Sequence, residues 1–87
     1  MTNANLYNAD LTNAYFYAAI VTNANFRNAD LFSANLFNAD LTNADLRNAD
    51  LNGAYLYYAD LTNAEINSAT VTNAYIEKTK LTATTRL

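Results

Sequence analysis

Few side chains in this sequence could do chemistry. It holds eight Asp and Glu and five Lys and Arg, with neither His nor Cys. A histidine-based triad cannot be built, and there is no thiolate nucleophile and no disulfide framework. Ser33 and Ser68 are isolated hydroxyls, better placed as turn residues than as nucleophiles. Gly53 is the only Gly, so no glycine-rich phosphate loop can form. What remains is a set of carboxylates. Asp10, Asp30 and Asp50 recur at a fixed interval, a regularity that could pair acids for proton transfer or hold a hard cation. The Gly-rich nonapeptide of calcium-binding β-rolls is missing. The expectation is a chain with no catalytic residues, no metal and no cofactor.

The elements that carry these residues follow from an internal repeat. Ala stands at every fifth position from Ala4 to Ala74, and two residues after each comes a large apolar residue. Phe16, Phe26, Leu31, Leu36, Leu41, Leu46, Leu51, Leu56 and Leu61 form the middle of that row and are the predicted core. A period of five fits neither a helix nor a simple strand. On extended backbone, however, residues two apart point to the same side, so each Ala shares a side with the large apolar residue after it. The chain must turn before the next pair. Asn recurs at the fifth position, as at Asn8, Asn13 and Asn43, and Gly53 has the same phase. Both suit the positive φ that the third residue of a type II turn requires.

This Ala-Asp/Asn-Leu-x-x pattern, running from Ala4 to Leu81, resembles the pentapeptide-repeat family. The resemblance implies an all-β fold, a right-handed quadrilateral β-helix of about four coils in which four pentapeptides complete one turn and the Ala and Leu or Phe rows face inward. The chain is then a single domain over 1–87, with repeats over 4–81 and a C-terminal cap over 77–87, where Thr79 and Thr84 replace Ala and charge gathers. At the N-terminus, Leu6 enters in phase with no polar cap, which raises the expectation of a homodimer through an uncapped first coil.

With residues twenty apart stacked on one another, the outward positions sort into columns. One face carries Tyr15, Tyr55 and Tyr75 beside Tyr17, Phe37 and Tyr57, with Tyr58 at the corner. Tyr and Phe are enriched where partners dock, so this is the predicted interaction face; a stacking ladder that strengthens the sheet is the plainer alternative. Another face carries Asp10, Asp30 and Asp50, on a convex exterior with no pocket to exclude water. Arg27 and Arg47, three residues before Asp30 and Asp50, are expected to relieve that column's repulsion. Thr22, Thr42, Thr62 and Thr82 form a Thr ladder, an array that regular ice-binding surfaces also use, although Asp40, Asp60 and Lys80 charge this one.

The remaining exclusions come from composition. A chain 52% hydrophobic is no disordered tail. A net charge of −3 argues against nucleic-acid binding. No apolar run reaches the ~20 residues of a membrane span, and Met1–Ala4 does not open a signal peptide. A cytoplasmic, bacterial protein is the expectation. Function reads as a structural or protein-interaction solenoid whose protein partner the sequence does not name. The family resemblance also implies an alternative, a DNA-mimicking inhibitor of a type II topoisomerase. Against it stand Arg27, Arg47, Lys78, Lys80 and Arg86, which interrupt the negative surface.

Overall fold

A computed structural model describes residues 2–82. The chain winds as a right-handed quadrilateral β-helix. Each pentapeptide makes one side, and parallel bridges join residues twenty apart, as in Asn5 to Asn25, Asn25 to Asp45 and Asp45 to Glu65. Sides that have a following coil repeat one pattern of backbone bonds. The N–H of Leu6 donates to Asn25 O at 2.7 Å, that of Asn8 to Arg27 O at 3.0 Å, and that of Asn25 back to Ala4 O at 2.8 Å. The molecule measures 28 × 25 × 24 Å.

Each corner is a turn closed by an i to i+3 bond, as from Ala9 N to Leu6 O at 3.0 Å. The third turn residue always has positive φ: 60° at Asn8, 62° at Asn43 and 69° at Gly53. Asn tolerates this left-handed conformation because its short polar side chain can bond locally. Ser33 and Ser68, at φ 58° and 65°, are turn residues as their isolation suggested. Ala18 and Tyr58, at 55° and 59°, occupy the same conformation without that compensation.

The inward rows close the square. Phe26 and the Leu row from Leu31 to Leu61 are fully buried, Phe16 is 7% exposed, and the Ala residues between them let the four walls approach. Burying each large side chain contributes about 1.5–3 kcal/mol before the entropy of ordering is subtracted. Phe16 meets Phe26 edge-on at 6.0 Å. No buried side chain is polar among the described residues. Glu77–Lys80 continue the coil in register, with Lys80 N donating to Ala59 O at 2.8 Å. Residues 83–87 of the expected cap, including Thr84, lie outside the described residues.

Candidate functional site

One local rule recurs around the coil, with exceptions at Ile20, Glu65, Thr70 and Lys80 near the ends and the largest group of them, Tyr15, Tyr55 and Tyr75, in one column. In each side the residue before the inward Leu or Phe is commonly Asp or Asn, and its Oδ1 accepts the backbone N–H two residues on. Asn25 caps Arg27 N at 3.0 Å, Asp30 caps Phe32 N at 3.0 Å, and Asp50 caps Asn52 N at 2.9 Å. These N–H groups lie outside the ladder that links the coils, so the side chain supplies their partner. Tyr15, Tyr55 and Tyr75 occupy this same position and have no oxygen that can reach back. Each therefore gives up a hydrogen bond worth roughly 0.5–1.5 kcal/mol net. Only Asn35 keeps the cap in that column, accepting from Phe37 N at 3.0 Å.

The aromatic side chains predicted for this face form one connected cluster. Tyr15 stacks on Tyr17 at 5.9 Å, and Tyr17 on Phe37 at 5.2 Å with the planes within 3°. Phe37 meets Tyr57 at 6.5 Å and Tyr58 at 5.6 Å, both edge-on. Tyr57 reaches Tyr75 at 5.7 Å, and Tyr75 stacks on Tyr55 at 4.7 Å. Partial burial, then the nearby Glu77 carboxylate, push the Tyr57 hydroxyl above its ordinary pKa. The cluster is nonetheless a surface: Tyr15 is 75% exposed and Tyr58 56%. It is broken at one place. Where the column would carry a ring, Asn35 leaves a notch of about 170 Å³ lined by Tyr17, Asn35, Phe37 and Tyr55.

The acidic column is placed as read, with Asp10 bridged to Asp30 and Asp30 to Asp50. The expected relief by arginine is a correction. Arg47 forks onto Asp45, Nε at 2.9 Å and Nη2 at 2.7 Å, and also lies 3.3 Å from Glu65. Arg27 stands 3.9 Å from Asp45. Side chains two apart on extended backbone share a face, so arginine finds the carboxylate of its own side; Asp30 and Asp50 are one corner further on and face elsewhere. The column instead turns its oxygens to backbone N–H groups and, at Asp50, to the Thr70 hydroxyl at 3.3 Å. The Thr12 hydroxyl, and after it the Thr12 backbone N–H, holds Asp10 below the usual carboxylate range.

In the Thr ladder the hydroxyls of Thr42 and Thr62 donate to Asp40 and Asp60, at 2.6 and 2.5 Å. They are spent within the protein rather than presented as a free array. No group of three or more potential metal ligands comes together among the described residues, and no helix there is long and apolar enough to cross a membrane. Two outward residues escaped the sequence reading. Phe32, 47% exposed, stands in the column next to Asp30. Asn35 stands between Tyr15 and Tyr55 in their column and makes the notch. The phase of five places both; their meaning needed the neighbouring coils.

The description "Pentapeptide repeats (8 copies)" matches four overlapping stretches, residues 1–31, 9–48, 34–73 and 44–83. The chain belongs to the pentapeptide-repeat family. Among solved structures, this pentapeptide-repeat chain is similar to Rfr23 of the cyanobacterium Cyanothece 51142, with a TM-score of 0.94 and 32% identity over 95% of this chain and 56% of that one. It is similar to alr5209 of Nostoc, with a TM-score of 0.55 and 29% identity over 92% and 82%. HetL of Nostoc, described as involved in regulating heterocyst differentiation, gives a TM-score of 0.50 and 30% identity over 90% and 38%. The chain thus spans about half the length of Rfr23 and less of HetL. No curated protein matches the sequence.

Proposed function

We propose that this pentapeptide-repeat chain is a non-catalytic protein-docking rod whose aromatic face seats a partner. The observation that carries it is the occupancy of one column. Tyr15, Tyr55 and Tyr75 stand where the rest of the fold favours a capping Asp or Asn, so the face departs from the local rule and loses backbone hydrogen bonds. Local rules give way at functional sites more often than elsewhere. A ladder needed only for stability would gain from keeping the caps. Aromatic side chains also supply large, rigid contact area at an interface.

The acidic alternative has less behind it. Asp45 and Glu65 are countered by Arg47, and the Asp columns serve their own backbone. Four coils also match only roughly six base pairs of duplex.

The double variant Tyr55→Ala/Tyr57→Ala tests the reading. Immobilised wild-type chain is expected to retain a defined partner that the variant releases, with both giving the same far-ultraviolet circular dichroism. A variant with Asp10, Asp30 and Asp50 changed to Asn should still retain it, more weakly, because those carboxylates border the face without forming it. Capture that survives loss of the rings but not of the carboxylates would reject the aromatic face, and inhibition of gyrase supercoiling by that route would restore DNA mimicry.

A further inference from the structure

We propose that the notch at Asn35 takes an arginine guanidinium from a basic segment of the docking partner. This deepens the docking reading and rests on it. Three features on the aromatic face argue for a planar cation. First, the notch is a missing rung: Tyr15 and Tyr55 stand above and below Asn35 in one column, and the space left is walled by Tyr17, Phe37 and Tyr55. The adjoining Tyr17 and Phe37 rings stack on one another and cover each other's faces, whereas Tyr55 is covered by Tyr75 only on the side away from Asn35, which leaves its other face toward the notch. An open ring face suits a flat group, and guanidinium stacks on aromatic faces where an ammonium offers only a point charge.

Second, the floor has unused hydrogen-bonding capacity. Asn35 Oδ1 accepts from Phe37 N, which leaves one lone pair, and its Nδ2 donates to nothing among the described residues. The lone pair can take a guanidinium N–H, and Nδ2 can reach a backbone carbonyl of the same segment. Third, the borders are anionic. Around one corner from Phe37 lies Asp40, and Asp60 follows it in the same column; on the other side, beyond the column of Phe32, lie Asp30 and Asp50. None of Asp30, Asp40 and Asp50 is within ion-pair distance of a described cation, whereas Asp60 stands 4.0 Å from Lys80. A neutral aromatic stripe between carboxylate columns selects a basic segment over an acidic or purely apolar one.

The test is a titration of the full ¹⁵N-labelled chain with three capped tripeptides, Gly-Arg-Gly, Gly-Lys-Gly and Gly-Tyr-Gly, followed by amide chemical shifts. The arginine peptide is expected to move the Asn35 side-chain amide and the backbone of Phe37 and Tyr55, with lysine about fivefold weaker. Asn35→Tyr fills the rung with the residue that positions 15, 55 and 75 already hold, so the fold stands; it should abolish the shifts at Phe37 and Tyr55. Asn35→Asp keeps the cap, adds a charge and should tighten the arginine peptide about threefold. Shifts confined to Asp10, Asp30 and Asp50, or unchanged in Asn35→Tyr, would overturn the proposal. So would tighter binding of the tyrosine peptide, or self-association of the chain that Asn35→Tyr abolishes. If the arginine peptide fails while partner capture still depends on Tyr55 and Tyr57, the guanidinium assignment falls and the docking face stands. If the peptide binds but capture ignores those rings, the docking reading falls instead.

Discussion

Arg47 forks onto Asp45, the residue two positions before it, through Nε at 2.9 Å and Nη2 at 2.7 Å. The pair is possible because both side chains leave one short extended side in the same direction. It binds the chain to itself and, through Glu65, to the next coil.

Acid stability follows from this pair. The Arg47 hydrogen bond holds the Asp45 carboxyl below its ordinary range, and the Thr62 hydroxyl does the same for Asp60. A depressed carboxyl stabilises the fold above its unfolded pKa, near 3.9, and that contribution fades as pH falls through the lower folded value. Asp45→Asn should therefore lower the Tm by a few degrees at pH 7, since the pair is part-exposed and screened. The gap to wild type should close below about pH 4. Thermal melts across pH 2–7 check this, and a gap that widens on acidification would refute it.

The inward row tolerates no charge. Leu41 is fully buried in a wall one side chain thick. Leu41→Asp buries an ionisable group without a partner and should cost about 4–5 kcal/mol or more, enough to unfold a chain of this size. Leu41→Met, close in volume, should cost under ~1.5 kcal/mol. Urea denaturation of both distinguishes a loss of core from a general sensitivity of the repeat.

The corners make opposite predictions for Gly and Ala. Ala18 sits at φ 55° with no compensation, so Ala18→Gly should stabilise by about 0.5–1 kcal/mol, the left-handed penalty less the added entropy of glycine. Gly53 sits at φ 69°, and a Cβ there would lie 3.2 Å from Ser33 Oγ. Gly53→Ala should destabilise by about 1 kcal/mol. Equal and small effects at both corners would show that the turns do not limit stability.

The sequence by itself determined the repeat, the inward rows and the corners. Alternation puts Ala24 and Phe26 on one side of the backbone whatever surrounds them, and positive φ at Asn8 or Gly53 is a property of those residues and a single turn. Period and local chemistry carry all of this, which is why the aromatic, acidic and Thr columns could be placed from the phase of five once four sides were taken to close a coil. The tertiary structure decided what those columns do. Arg47 was expected across the corner at Asp50 and lies instead on Asp45 and Glu65, because side chains of one extended side and of the side stacked on it leave the sheet in the same direction, whereas Asp50 lies past a corner. The Thr42 and Thr62 hydroxyls are turned onto Asp40 and Asp60 rather than outward. The notch at Asn35 exists only where Tyr17, Phe37 and Tyr55 converge from different coils. Distances between residues about twenty apart in sequence are set by stacking, and stacking is a property of the closed coil.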